Sequence, residues 1–122
     1  MPKVARRLLI TAVVAVVAVL AVAGVVSAKS TVKLSASKSK LAFNVKTIHA
    51  KKGSVTFAMA NPSGLPHAIA VKGHGLNSKG KTVNKGGTSR VTVTLTKKGT
   101  YTFYCPVDGH AAAGMKGKLI VS

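Results

Sequence analysis

From Val32 onward, apolar side chains recur at every second position in short runs, and each run is closed by residues that turn the chain. Leu41, Phe43 and Val45 form one such row, followed by Val55, Phe57 and Met59, then Ile69 and Val71. Val91, Val93 and Leu95 come next, then Tyr101 and Phe103, and last Leu119 and Val121. A period of two places alternate side chains on one face of an extended strand, so each row predicts a strand with one buried face. Lys51-Lys52-Gly53, Asn61-Pro62-Ser63-Gly64, Asn84-Lys85-Gly86-Gly87 and Lys97-Lys98-Gly99 supply the turns between them. No window carries three turns of helical periodicity. With Val32 and Leu34 as a first strand, seven or eight short strands are expected, in an antiparallel sandwich or barrel.

The segment before this pattern has a different character. Of the 19 residues from Leu8 to Val26, 17 are Leu, Ile, Val or Ala, preceded by Lys3, Arg6 and Arg7 and followed by Ser27 and Ala28. A basic start, an apolar middle and a small-residue exit describe a secretory signal cleaved near Ala28. The alternative is an uncleaved anchor helix, since about 20 apolar residues span a bilayer. Either reading puts residues 29–122 outside the cytoplasm, in the periplasm or the extracellular space, as one domain preceded by a signal or anchor of residues 1–28. The Ser/Lys-rich stretch from Lys29 to Lys40 is expected to begin as a short mobile tether.

Charge and cysteine content narrow the chemistry. The 122 residues carry 19 Lys plus Arg against a single carboxylate side chain, Asp108, and one cysteine, Cys105. One carboxylate cannot form the acid–base pair of a glycosidase or an acidic calcium cage. One cysteine cannot close an internal disulfide or supply a four-thiolate metal site. Sixteen of the cations lie beyond residue 28, so the domain holds a net charge of +15. With so little carboxylate to protonate, the metal-free fold is expected to resist acid.

Strand parity singles out one constellation. Cys105 continues the inward row of Tyr101 and Phe103, and His67 opens the inward row of Ile69 and Val71, so both point to the interior at strand ends. His110 follows Cys105 after four intervening residues, and Met115 follows His110 after four more. Two imidazoles, a thiolate and a thioether form the ligand set of a blue-copper electron-transfer centre. Zinc would accept the first three, but an open fourth position would call for a catalytic carboxylate. Asp108 is the only one, and no catalytic role falls to it; the chain is not read as an enzyme. Met59 reads as core, and His49 and His74 as surface residues.

The segment Tyr101-Thr102-Phe103-Tyr104-Cys105-Pro106-Val107-Asp108-Gly109-His110, continuing to Met115 and the final strand, resembles the C-terminal ligand loop of the cupredoxins. Asn61-Pro62-Ser63-Gly64-Leu65-Pro66-His67 is similar to their first histidine loop. The resemblance covers Val32 to Val121 and is of the plastocyanin/azurin type. It implies an eight-stranded Greek-key sandwich binding one copper ion, with His67, Cys105 and His110 as equatorial ligands and Met115 as the axial one. The Cys-to-His spacing is longer than in photosynthetic plastocyanins. Ala68 stands where many members place an asparagine that ties the two ligand loops.

The resemblance implies a monomeric one-electron Cu(II)/Cu(I) carrier, with His110 at a docking patch formed by Leu65, Pro106, Val107 and Ala111 to Ala113. Lysines around that patch would steer an acidic redox partner toward it. An anionic membrane or cell-wall surface is a further partner for such a basic domain. The absence of an arginine-rich helix or an aromatic platform argues against specific nucleic-acid binding. Two other functions fit the same residues: a copper carrier or buffer using the same ligands, and a metal-free polycationic domain that binds polyanions.

Overall fold

The computed structural model describes residues 29–122; the predicted signal or anchor lies outside them. Eight strands form two sheets. One sheet has three strands in the order β1 (Lys29–Ser35), β3 (Gly53–Ala60), β6 (Thr88–Leu95). The other has five, in the order β2 (Thr47–Ala50), β8 (Lys116–Val121), β7 (Gly99–Tyr104), β4 (Ala70–Gly73), β5 (Leu76–Lys79). This is the all-β, Greek-key sandwich expected. Two pairings depart from a purely antiparallel scheme, because β1 runs parallel to β3 and β2 parallel to β8. Neither pair is a hairpin: the chain crosses between the sheets before each partner is reached, and crossing connections return strands in parallel.

The alternating rows become the core. Strand β6, TSRVTVTL, shows strict alternation of exposed and buried residues, and its β-branched side chains suit a half-buried pleat. Val55, Phe57 and Met59 of β3 meet Val91, Val93 and Leu95 of β6 on the inner face, opposite Phe103, Leu119 and Val121 of the larger sheet. Phe43 packs its ring against Phe103 at a centroid distance of 5.6 Å. Gly117 lies where a β-carbon would fall on that same Phe103 ring, so a side chain there has no room.

Three expectations change. The proposed tether is strand β1 from Lys29 onward, since parallel pairing with β3 satisfies its backbone and turns Leu34 inward. Leu41, Phe43 and Val45 do face the core, but this segment joins the sheets only through a bridge between Ala36 and Phe43. It is the crossing between layers, where inward side chains do not require a ladder. Finally, β4 starts at Ala70 rather than at His67, and His67 is held by an isolated bridge to Val83.

The registers define two poles. Lys29 lies opposite Ser54, Gly53 opposite Leu95, and Gly99 opposite Val121, so the β2–β3 and β6–β7 turns share one pole. The segments carrying His67, Cys105, His110 and Met115 leave the strands at the other.

Candidate metal centre

Four segments meet at the second pole, and the inward rows change character as they reach it. The row of Val55, Phe57 and Met59 continues into Asn61, the row of Tyr101 and Phe103 into Cys105, and the row of Leu95, Val93 and Val91 runs back to Ser89. All three polar residues are buried. Hydrocarbon thus gives way to polar atoms within one layer of the core.

Asn61 organises the first histidine loop. Its side-chain amide donates to the Leu65 carbonyl at 2.8 Å and to the Val83 carbonyl at 2.9 Å, while its oxygen accepts from the Ser63 N–H at 3.0 Å. The Val83 carbonyl also accepts the His67 N–H at 3.1 Å, and the Val83 N–H donates to the His67 carbonyl at 2.8 Å. Ser89 braces the following residues, accepting from the Ile69 N–H at 3.2 Å and donating to the Lys81 carbonyl at 2.6 Å. The His67 backbone is therefore fixed from both sides. Asn61 and Ser89 were not singled out as site residues from the sequence. The available signal was parity, since each is polar on a row otherwise made of core residues.

The second loop closes on itself. The Cys105 N–H donates to the Met115 carbonyl at 3.0 Å, and the Met115 N–H to the His110 carbonyl at 3.0 Å. Between them, tight turns carry Gly109 and Gly114 at φ of 78° and 116°, values open to glycine without steric cost. Those two bonds bring Cys105, His110 and Met115 together although nine residues of chain separate the first from the last. Met115 and Cys105 are fully buried, while His110 is partly exposed.

His67, Cys105 and His110 converge. The two Nδ1 atoms lie 3.2 Å apart, and Cys105 Sγ is 3.9 Å from Nδ1 of His67 and 3.6 Å from Nδ1 of His110. A point equidistant from atoms at those separations lies roughly 2.1 Å from each. Bonds from zinc to imidazole nitrogen and thiolate sulfur are about 2.0–2.3 Å, so a first-row metal ion fits the triangle. No other group of three His, Cys or acidic side chains converges in this way among the described residues. Asp108 is exposed in the turn and is not part of the cluster. Met115 is brought beside the cluster by the backbone bonds just described.

The electrostatics favour the metal-ready form. Burial, with His110 beside it, holds the His67 imidazole below its ordinary value of 6.5, which favours the neutral ring that can ligate a metal. Its Nε2 is buried without a hydrogen-bond partner. A polar atom left unpaired in a core costs stability, and such groups are characteristic of functional sites. This buried imidazole bears on the expected acid resistance: carboxylates are scarce, but His67 adds a group whose neutral form the fold favours. His49 and His74 are exposed, as expected, and His74 lays its ring against Tyr101 at 4.5 Å. Ala68 is fully buried, and Asn61 and Ser89 brace the first loop from within.

Comparison with known proteins agrees with this geometry. The sequence model of the family described as copper binding proteins, plastocyanin/azurin family, matches residues 30–122. Plastocyanin of Daucus carota is 37% identical over 99 residues, covering 75% of this chain and 98% of the relative. The chloroplastic plastocyanin of Chlamydomonas reinhardtii is 36% identical over 104 residues, covering 77% of this chain and 68% of the relative. In fold, the chain is similar to auracyanin B, with a TM-score of 0.69 at 23% identity over 80% of this chain and 91% of that one.

Proposed function

The chain belongs to the plastocyanin/azurin family of copper-binding proteins, and from that membership we infer that it is a type 1 (blue) copper electron-transfer protein. The observation that carries this reading is the triangle of two Nδ1 atoms and one thiol sulfur at the end of a rigid core. We assign His67, Cys105 and His110 as the equatorial ligands and Met115 as the axial one. Bound copper supplies a one-electron Cu(II)/Cu(I) couple.

The protein's own contribution is to hold donors still. Cys105 and Met115 are locked by a backbone bond, and His67 by its bridge to Val83, so little has to move when the charge of the centre changes. His67, Cys105 and Met115 are sealed from water, which leaves the partly exposed His110 as the edge nearest a partner. Around it, Leu65 is half exposed, and Ala112 and Ala113 are exposed. An apolar patch of this kind suits brief contact with a redox protein. Lys38 and Lys40 share a groove with Leu65, and their charge favours an acidic partner. No residue is assigned a catalytic role. We read residues 1–28 as an export signal or anchor and residues 29–122 as one domain working outside the cytoplasm.

Titration of purified apo-protein with Cu(II) tests the assignment. One equivalent should turn the solution intensely blue, and Cys105→Ser should abolish the colour while the fold persists. A colourless, copper-free end point for the unaltered protein would sink the proposal. Reversible one-electron voltammetry with fast exchange separates electron transfer from copper carriage, in which the metal would pass readily to an acceptor.

A further inference from the structure

The pole opposite the metal centre is built from cations. Lys29 begins β1 there, Lys51 and Lys52 form the β2–β3 turn, and Lys97 and Lys98 form the β6–β7 turn; all five are exposed. The His74 turn between β4 and β5 lies at the same end, with Gly73 against Tyr101. Asp108, the only side-chain carboxylate, is at the other pole, so nothing acidic on a side chain offsets these lysines.

The backbone of the β6–β7 lysine turn is tied to the sheet. The Tyr101 hydroxyl donates to the Lys97 carbonyl at 2.9 Å, and the His74 ring packs at a tilt against that same tyrosine. Gly99 at φ 132° closes the lysine turn where a β-carbon would come within 3.0 Å of His74 Nε2. Beside Lys51 and Lys52 a groove of about 490 Å³ is lined by Ser30, Thr31, Ser54 and the C-terminal Ser122, together with Val32, His49 and Ala50. Lysine ammonium groups and serine and threonine hydroxyls can each donate to the oxygens of a phosphodiester.

The sequence indicates what meets this face. The apolar run of Leu8 to Val26 ends three residues before Lys29, a reach of at most about 11 Å. We propose that this pole docks on the anionic phospholipid headgroups of a bilayer, leaving the metal pole turned outward toward soluble partners. Basic residues close to such a surface each strengthen binding by about fivefold, and the attraction fades within a Debye length. The proposal does not depend on copper and would stand or fall separately from it.

Footprinting of lysine amines with an impermeant acylating reagent, read by mass spectrometry on the full chain, tests it. Vesicles of phosphatidylcholine alone are compared with vesicles that also contain phosphatidylglycerol. On the anionic vesicles, labelling of Lys51, Lys52, Lys97 and Lys98 should fall at least about fivefold. Lys79, Lys81 and Lys85 should be labelled as in free solution, and about 0.5 M salt should restore the rest. Equal protection on neutral vesicles would mean that the upstream apolar run alone brings the pole to the bilayer, and would overturn the proposal. So would protection at Lys79, Lys81 and Lys85, or none at all. Heparin in solution protecting the same four lysines as strongly as the vesicles would assign the face to polyanions instead of lipid.

Discussion

Replacing Asn61 with alanine should damage both the fold and the metal centre, and the size of each effect can be worked from its hydrogen bonds. The buried side chain donates to Leu65 and Val83 through part-buried bonds and accepts from Ser63 through a buried one. Each bond contributes about 1 kcal/mol net, and partners left buried and unpaired add roughly 1 kcal/mol more. The Val83 carbonyl keeps the His67 N–H, so the loss for Asn61→Ala is about 3–4 kcal/mol. In a domain of this size that lowers the apo-protein melting temperature by about 12–30 °C. Circular dichroism on heating measures it. The local effect is separated by comparison with Leu95→Ala, which opens a cavity in the same core at the far pole and costs about 2–5 kcal/mol. Because Asn61 shares the Val83 carbonyl with His67, Asn61→Ala should weaken Cu(II) binding in a competition titration, whereas Leu95→Ala should leave it nearly unchanged. A melting temperature within about 4 °C of the parent, equivalent to less than about 1 kcal/mol, would refute the hydrogen-bond argument. Equal loss of copper affinity in the two variants would refute the claim that Asn61 positions His67.

Further outcomes follow from the same structure. Since His67 holds its proton less tightly folded than its ordinary 6.5, the unfolded chain binds more protons between those values. Apo-protein stability should therefore be full above about pH 6.5 and be lost as pH falls through the lower folded value; urea midpoints across that range should show the slope, and His67→Gln should flatten it. Gly117→Ala drives a β-carbon into the Phe103 ring and to 2.5 Å from the Lys46 carbonyl, so it should cost about 1–3 kcal/mol or prevent folding. Gly64→Ala, with nothing within 4 Å, should leave the melting temperature unchanged. Chelating the copper should lower the melting temperature, by about 4 kcal/mol in stability relative to protein with free metal at 1,000 times Kd, yet leave one cooperative transition, because a single contiguous hydrophobic core joins both sheets.

The rows of alternating residues were enough to locate most core strands and to aim Cys105 and His67 inward, because a period of two fixes which face a side chain takes. They could not locate β5, whose residues Leu76–Lys79 are largely exposed and carry no apolar row. They also misjudged Leu41 to Val45, since burial alone does not say whether a neighbouring backbone is in reach. The Ser/Lys composition of β1 hid a strand whose pairing is made by β3, not by its own propensity. At the metal centre the four proposed ligands were legible from type and spacing. Asn61 and Ser89 were not, because their role rests on backbone N–H and carbonyl groups of residues about 20 positions away or nearby in loops, a three-dimensional fact with only a faint trace in the sequence.

The parallel pairing of β2 with β8 imposes an order in time. Residues 47–50 have no ladder partner in the larger sheet until residues 118–121 are present, and β8 lies between β2 and β7. Pairings this distant in sequence close slowly. Three of the four proposed ligands, Cys105, His110 and Met115, also belong to this late part of the chain. A chain still emerging from a ribosome or a translocation channel thus lacks both the strand that joins β2 to the larger sheet and most of its metal donors. Assembly of the sandwich therefore waits for the whole domain, and most of the donors for the ion arrive only with its last residues.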